Sequence, residues 1–466
     1  GTGEATLLGM GEGNVNAGQS PVGITESLYS LTQKNRLRGN FALTWTPIKG
    51  LSGRVEYDMG RNWGQNKYYD DGSVISGFSW TKGHKYAMLA KTTGKNWRFL
   101  TTINYDVQGL GNNHKLNFMV GNEEIKSSSE KLTVYGGGFP SGDAWTMNRI
   151  FGMINMGDAN SYPDENKYVN EYNVPETTQS WFGRVNYSYL GRYLLTATMR
   201  ADGSSKFGPN HHWGYFPATA LAWRISDEPF MKSASKWLDN LKLRISYGTA
   251  GNDNINSSLW HETYTASTGV WDEKTVQIYS PSGLKENPDL KWETTISRNI
   301  GFDFGFVNRI NGTLDLYWNT TKDLLMNQEI DSSTGYSHQY TNIGQTSNKG
   351  LELALNAALV RSKKFNLNFN FTYNLNYNNV DKLKDDADIL YGSGWGSSSL
   401  MPANDYLLTE GRPVGLVRGY TSDGFYTVND FNYINGKYVL KNGIPDISAS
   451  IFVSYPIPGE MKDKFP

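Results

Sequence analysis

Phe365 to Tyr377 reads FNLNFNFTYNLNY, with apolar or aromatic side chains at every odd position and polar ones at every even position. A strict period of two marks a β-strand with one apolar and one polar face. The pattern recurs along most of the chain. Long two-faced strands must either pair two sheets or wrap one sheet around something wet.

Outward from that stretch, Leu351, Leu353 and Leu355 turn through RSKK into it. Leu37 to Trp45 and Leu51 to Met59 repeat the alternation, as do Trp97 to Val107 and Leu116 to Val120. So do Trp181 to Tyr189, Tyr193 to Met199 and Leu241 to Tyr247, then Ile296 to Phe306 and Ile310 to Trp318. Weaker runs near Tyr86, Leu221, Tyr426 and Val453 bring the expectation to about fifteen strands, many about 10–14 residues long. Ordinary strands average about 5–6 residues, whereas a tilted membrane strand needs about 9–11. Strand length therefore points to a membrane wall.

Composition agrees. The 466 residues are 14% aromatic, yet the mean hydropathy is −0.54. That combination fits a wall with lipid on one side and water on the other. No apolar run is long enough for a transmembrane helix. The net charge of −1 leaves no nucleic-acid footprint, and the absence of cysteine excludes disulfides and thiolate metal sites. The opening GTGEATLLGMGEGNVNAG reads as a loop, and the ends suggest a piece of a longer protein.

Connections alternate in length. Short turns are expected at Pro47 to Gly50, Gly191-Arg192, Val307 to Arg309 and Arg361 to Lys364. Long polar excursions are expected over Ser127 to Thr178, Ala250 to Lys291 and Asn379 to Arg412. Short periplasmic turns and long extracellular loops describe a large antiparallel transmembrane β-barrel of the outer membrane.

Catalytic motifs are poor, so no enzyme activity is expected. His211-His212 are adjacent and would point to opposite faces of a strand, a weak metal pair. Asp385, Asp386 and Asp388 could bind calcium, but a solvated charged loop is the plainer reading. Neither a metal nor a cofactor is assigned. Trp145, Tyr162, Trp260, Trp271, Tyr279, Tyr391 and Trp395 lie in polar excursions where strand alternation does not explain them. They are candidates for stacking on sugar rings, against the alternative of loop packing. Trp45, Tyr57, Trp63, Trp97, Trp181 and Tyr189 read as interfacial girdles. Phe365, Leu367, Phe369, Phe371, Tyr373, Leu375 and Tyr377 are expected to face lipid, and the intervening Asn and Thr residues the lumen.

Six blocks carry a family resemblance. They are RADGSSKFGPNHHWGYFPATALAWRISDEPFM (Arg200 to Met231), WLDNLKLRISYGTAGN (Trp237 to Asn252), NPDLKWETT (Asn287 to Thr295), NRINGTLDLYWNTTKDLL (Asn308 to Leu325), NIGQTSNKGLELAL (Asn342 to Leu355) and GRPVGLVRGYTSDGFY (Gly411 to Tyr426). In this order the chain resembles the SusC-like TonB-dependent outer-membrane transporters of Bacteroidetes. The resemblance implies a plugged barrel of about 22 strands. Residues 1–466 would then form part of the barrel domain, without the plug and the last strands. It also implies a SusD-like surface lipoprotein as lid and the TonB-ExbB-ExbD complex as energy source. Contact with lipopolysaccharide and a dimer of transporter–lipoprotein pairs follow from the same likeness. The expected activity is import of oligosaccharides, with peptides as alternative cargo. A surface carbohydrate-binding β protein without transport is the rival reading.

Overall fold

In the computed structural model the described residues are 25–72, 84–140, 144–162, 167–271, 274–383, 388–392, 405–418 and 427–444. Twelve long strands dominate. They are β1 (Leu28–Ile48), β2 (Leu51–Asp70), β3 (Lys85–Asp106), β4 (His114–Phe139), β5 (Tyr168–Tyr189), β6 (Tyr193–Ser204), β7 (Trp213–Arg224) and β8 (Leu238–Asn252), followed by β12 (Glu293–Phe306), β13 (Ile310–Glu329), β14 (His338–Arg361) and β15 (Asn366–Lys382). Each pairs antiparallel with its neighbours in one sheet, in chain order. Between β8 and β12 lie β9 (Tyr264–Trp271) and β10 (Lys274–Pro281), a separate hairpin, and the two-residue β11 (Leu284–Lys285), which pairs parallel with β14.

All eleven clear alternating runs are strands of this sheet, and the weaker run near Leu221 is β7. The run near Tyr86 is not a strand of its own. It continues into the Trp97 run as the single 22-residue β3, so two of the expected strands are one. Tyr426 and Val453 lie outside the described residues.

Register carries the two-faced pattern across the sheet. Phe41 pairs with Tyr57, and Tyr57 with Phe99. Ile103 pairs with Val120, Phe118 with Val185, and Val185 with Ala197. Leu195, Leu221, Ile245, Ile300, Leu316, Leu351 and Leu375 form an unbroken cross-strand row from β6 to β15. One slip of register would invert a strand's faces, so this continuity fixes the pairing.

The apolar face stays uncovered: Leu43 is 71% exposed and Trp45 65%. Most buried apolar residues gather instead in two small clusters at the long-loop rim. In the first, Tyr69, Ala87, Phe139, Ile150 and Ile154 pack where β2, β3 and β4 meet a short helix, α1 (Met147–Gly152). The second joins Phe207, Phe216, Leu259, Leu290 and Trp292. A bare apolar band of this width is untenable in water and suits a wall in lipid.

At the opposite rim the connections are short. Leu190 and Gly191 both take positive φ (54° and 68°), with Arg192 N donating to Tyr189 O at 3.0 Å. Val307 and Asn308 repeat this geometry (φ 49° and 51°). These are the turns whose twist matches that of paired strands.

Candidate lumen wall and loop cluster

The polar face is built from the alternate residues of the same strands. On β2, Arg54, Glu56 and Asp58 follow one another at every second position, so all three project to one side. Arg54 Nε lies 2.5 Å from Glu56 Oε1. Arg98 of β3 reaches Asp58 at 3.1 Å and Glu123 of β4 at 2.5 Å. Glu123 also meets Arg200 of β6 at 3.0 Å, and Arg200 Nε is 2.7 Å from Asp202. Arg200 further donates to Ser180 Oγ of β5 at 2.8 Å, and its guanidinium lies 5.3 Å from the Phe182 ring centre. Asn40 of β1 donates to Asp58. One network thus crosses six strands.

A second network joins β8, β12 and β13. Arg244 bridges Asp303 at 2.8 Å and Asp315 at 3.0 Å, and Lys242 lies 3.4 Å from Asp303. Towards β15, Tyr317 Oη donates to Asn376 Oδ1 at 2.9 Å.

Charges on this face are matched sideways, strand to strand. Arg98, Arg200 and Arg244 each have carboxylates in contact, whereas Arg184 on the same face reaches Met119 Sδ at 3.8 Å.

The predicted loop aromatics fall into distinct environments. Trp145 packs on Phe139 with ring centres 5.6 Å apart, under Arg149 at 5.1 Å, within the first cluster. Tyr162 stacks on His84 at 4.0 Å. Trp260 is half-buried beside His261, and its Nε1 is buried without a hydrogen-bond partner. Tyr391 stacks on Tyr406 at 5.3 Å. Trp271 (78% exposed) and Tyr279 (69%) are different: they stand on the β9–β10 hairpin, apart from the main sheet. Trp395 lies outside the described residues, as do Asp385 and Asp386, although Asp388 is inside them. The aromatics within the described residues are not gathered into one pocket.

The base of the hairpin is tied down. Glu262 accepts hydrogen bonds from Tyr264 Oη and Tyr336 Oη, both 2.7 Å, which hold its carboxyl below the usual carboxylate range. The Arg200–Met231 block is architectural here. Phe207 is fully buried against Trp292, while His212 Nδ1 sits 3.1 Å from Ser204 O and His211 Nε2 lies 3.9 Å from Asp289. The ion-pair networks were missed in the sequence. Charges at i, i+2 and i+4 from Arg54 were the available signal, but their partners depend on register.

The model of the TonB dependent receptor-like β-barrel family matches residues 7–459. The chain belongs to this family. The TonB-dependent receptor P39 of Formosa agariphila is 32% identical over 345 residues, covering 72% of this chain and 31% of that protein. The TonB-dependent receptor SusC of Bacteroides thetaiotaomicron is 35% identical over 288 residues, covering 58% and 27%. The chain thus spans 27–36% of the length of the curated relatives it matches. Among solved structures, the RagAB peptide transporter superposes with a TM-score of 0.75 at 20% identity, over 93% of this chain and 46% of that one. Together with the family match, that likeness identifies the sheet's twelve long strands as barrel wall.

Proposed function

We propose that this wall is part of an active, TonB-dependent importer of oligosaccharides in the bacterial outer membrane, working with a SusD-like lipoprotein as lid. The observation that carries the reading is the continuous separation of faces across twelve strands. Its apolar side suits lipid, and Leu367, Phe369, Phe371, Tyr373, Leu375 and Tyr377 belong to that side by register, with Phe365 just ahead of the strand. Its polar side suits a water-filled passage lined by hydrogen-bonding groups and cross-strand ion pairs. Energy would come from TonB-ExbB-ExbD acting on a plug contributed by the remainder of a longer protein. Lipopolysaccharide would meet the apolar band at its outer edge.

Peptide cargo is the second reading, favoured by the structural likeness to a peptide transporter. Both cargoes are polar and hydrogen-bond-rich, so the face described here accommodates either. A mutant lacking the gene, supplied with defined oligosaccharides or peptides, separates them: uptake of one class should fall while the other is unaffected. Unchanged uptake of both, from a strain shown to express the protein, would remove the transport reading.

A further inference from the structure

The longest connection at the short-turn rim joins β7 to β8 and forms a strap along the edge of the sheet. Two 3-10 turns, Ile225–Asp227 and Pro229–Lys236, make up most of it. Both ends are fixed. At the first, Glu228 is buried and receives Arg192 Nη1 at 2.6 Å, Trp223 Nε1 at 2.9 Å and the Tyr193 hydroxyl. At the second, Trp237 stacks on Phe306 (centres 6.0 Å apart, planes at 9°) and accepts from Val307 N at 2.9 Å. The strap therefore runs from the β5–β6 turn to the β12–β13 turn.

Its exposed groups are of two kinds. Phe230 is 65% exposed and Trp237 52%. Lys232 and Lys236 are exposed as well, and among the described residues no carboxylate pairs with either. The strap's own acids are engaged elsewhere: Asp227 lies 3.6 Å from Arg224, and Glu228 faces Arg192. Next to the strap the apolar face holds a groove of about 250 Å³ lined by Tyr193, Leu195, Leu221, Trp223, Leu243 and Ile245. Tyr193 and Trp223 line this groove and also bond Glu228, so groove and strap are one continuous structure.

We infer that strap and groove form a binding site for an anionic glycerophospholipid of the leaflet at the short-turn rim. An acyl chain lies in the groove, Phe230 and Trp237 sit at headgroup depth, and Lys232 and Lys236 meet the phosphate. Aromatic rings and lysines side by side are the chemistry that the headgroup region selects. A basic side chain near an anionic lipid surface favours it several-fold, so two together select it by an order of magnitude or more. The site rests on the assignment of the apolar face to lipid made above.

The test uses the full-length protein in detergent micelles, with bound lipid counted by native mass spectrometry. Phosphatidylglycerol and phosphatidylcholine of matched chains are the probes. The native protein should prefer phosphatidylglycerol. In Lys232→Gln/Lys236→Gln that preference should fall about tenfold with phosphatidylcholine retention unchanged. Lys232→Arg/Lys236→Arg should keep it. Filling the groove with Leu221→Trp should lower retention of both lipids. An undiminished preference in the glutamine variant, or displacement of the lipid by inorganic phosphate, overturns the site. Insertion of the same samples into vesicles reports separately on the apolar face, so the two readings fail independently.

Discussion

Gly350 of β14 lies opposite Tyr317 of β13, and the tyrosine ring folds across it on the polar face. A Cβ at Gly350 would collide with the Tyr317 hydroxyl and with Leu375 O. The glycine is needed for close approach, since its bare backbone lets the ring lie flat and reach Asn376. Gly121 does the same for Phe182, whose ring in turn sits under Arg200. Gly350→Val should therefore destabilise the wall by about 1–3 kcal/mol through overpacking. The measurement is the heat-unfolding midpoint of the purified protein. Adding Tyr317→Ser should recover part of the loss, because the clash with the ring is then relieved while that with Leu375 O remains. None of this was visible in NKGLELAL. That block shows a glycine in a strand, and only pairing shows what lies over it.

Among the elements, the strap after β7 is held by Glu228, whose carboxyl sits below the usual carboxylate range because the Tyr193 hydroxyl and Trp223 Nε1 donate to it, with Arg192 adding charge. A depressed folded value means that the native state has lost a proton that the unfolded chain still holds. The contribution is thus complete above the unfolded glutamate's value, about 4.3, and disappears as pH falls through the folded value. Glu228→Gln should flatten the acid limb of stability against pH while lowering the midpoint at neutral pH. Unfolding midpoints across pH for both proteins decide it; parallel acid limbs would show that the staple does not titrate as described. The strands themselves were largely legible, since a period of two is visible wherever one face meets oil and the other water. Their true lengths were not. Lys91 to Asn96 and Arg61 to Asn66 extend β3 and β2 with little alternation, because both faces of those stretches carry polar groups. The loop aromatics were legible only as residues that alternation did not explain. Trp145 and Tyr162 turn out to pack within the loops, whereas Trp271 and Tyr279 stand clear.

For the whole molecule, cargo capture is expected to depend on the hairpin at the long-loop rim. Trp271→Ala/Tyr279→Ala should weaken binding of the imported solute between a few-fold and about tenfold, the range of an aromatic contact. Equilibrium binding to the full-length protein measures this, and unchanged affinity would leave the pair as a surface for something other than cargo. By itself the sequence determined the two faces of each strand, and so the kind of wall the chain makes. That follows because the pleat sends neighbouring side chains to opposite sides whatever the rest of the chain does. Tertiary structure alone decided which charges meet. Glu123 and Arg200 are 77 residues apart in the chain, and Arg244 and Asp315 are 71 apart. Only the register of intervening strands, set by burying every ladder's polar backbone groups against a neighbour, brings those pairs into contact.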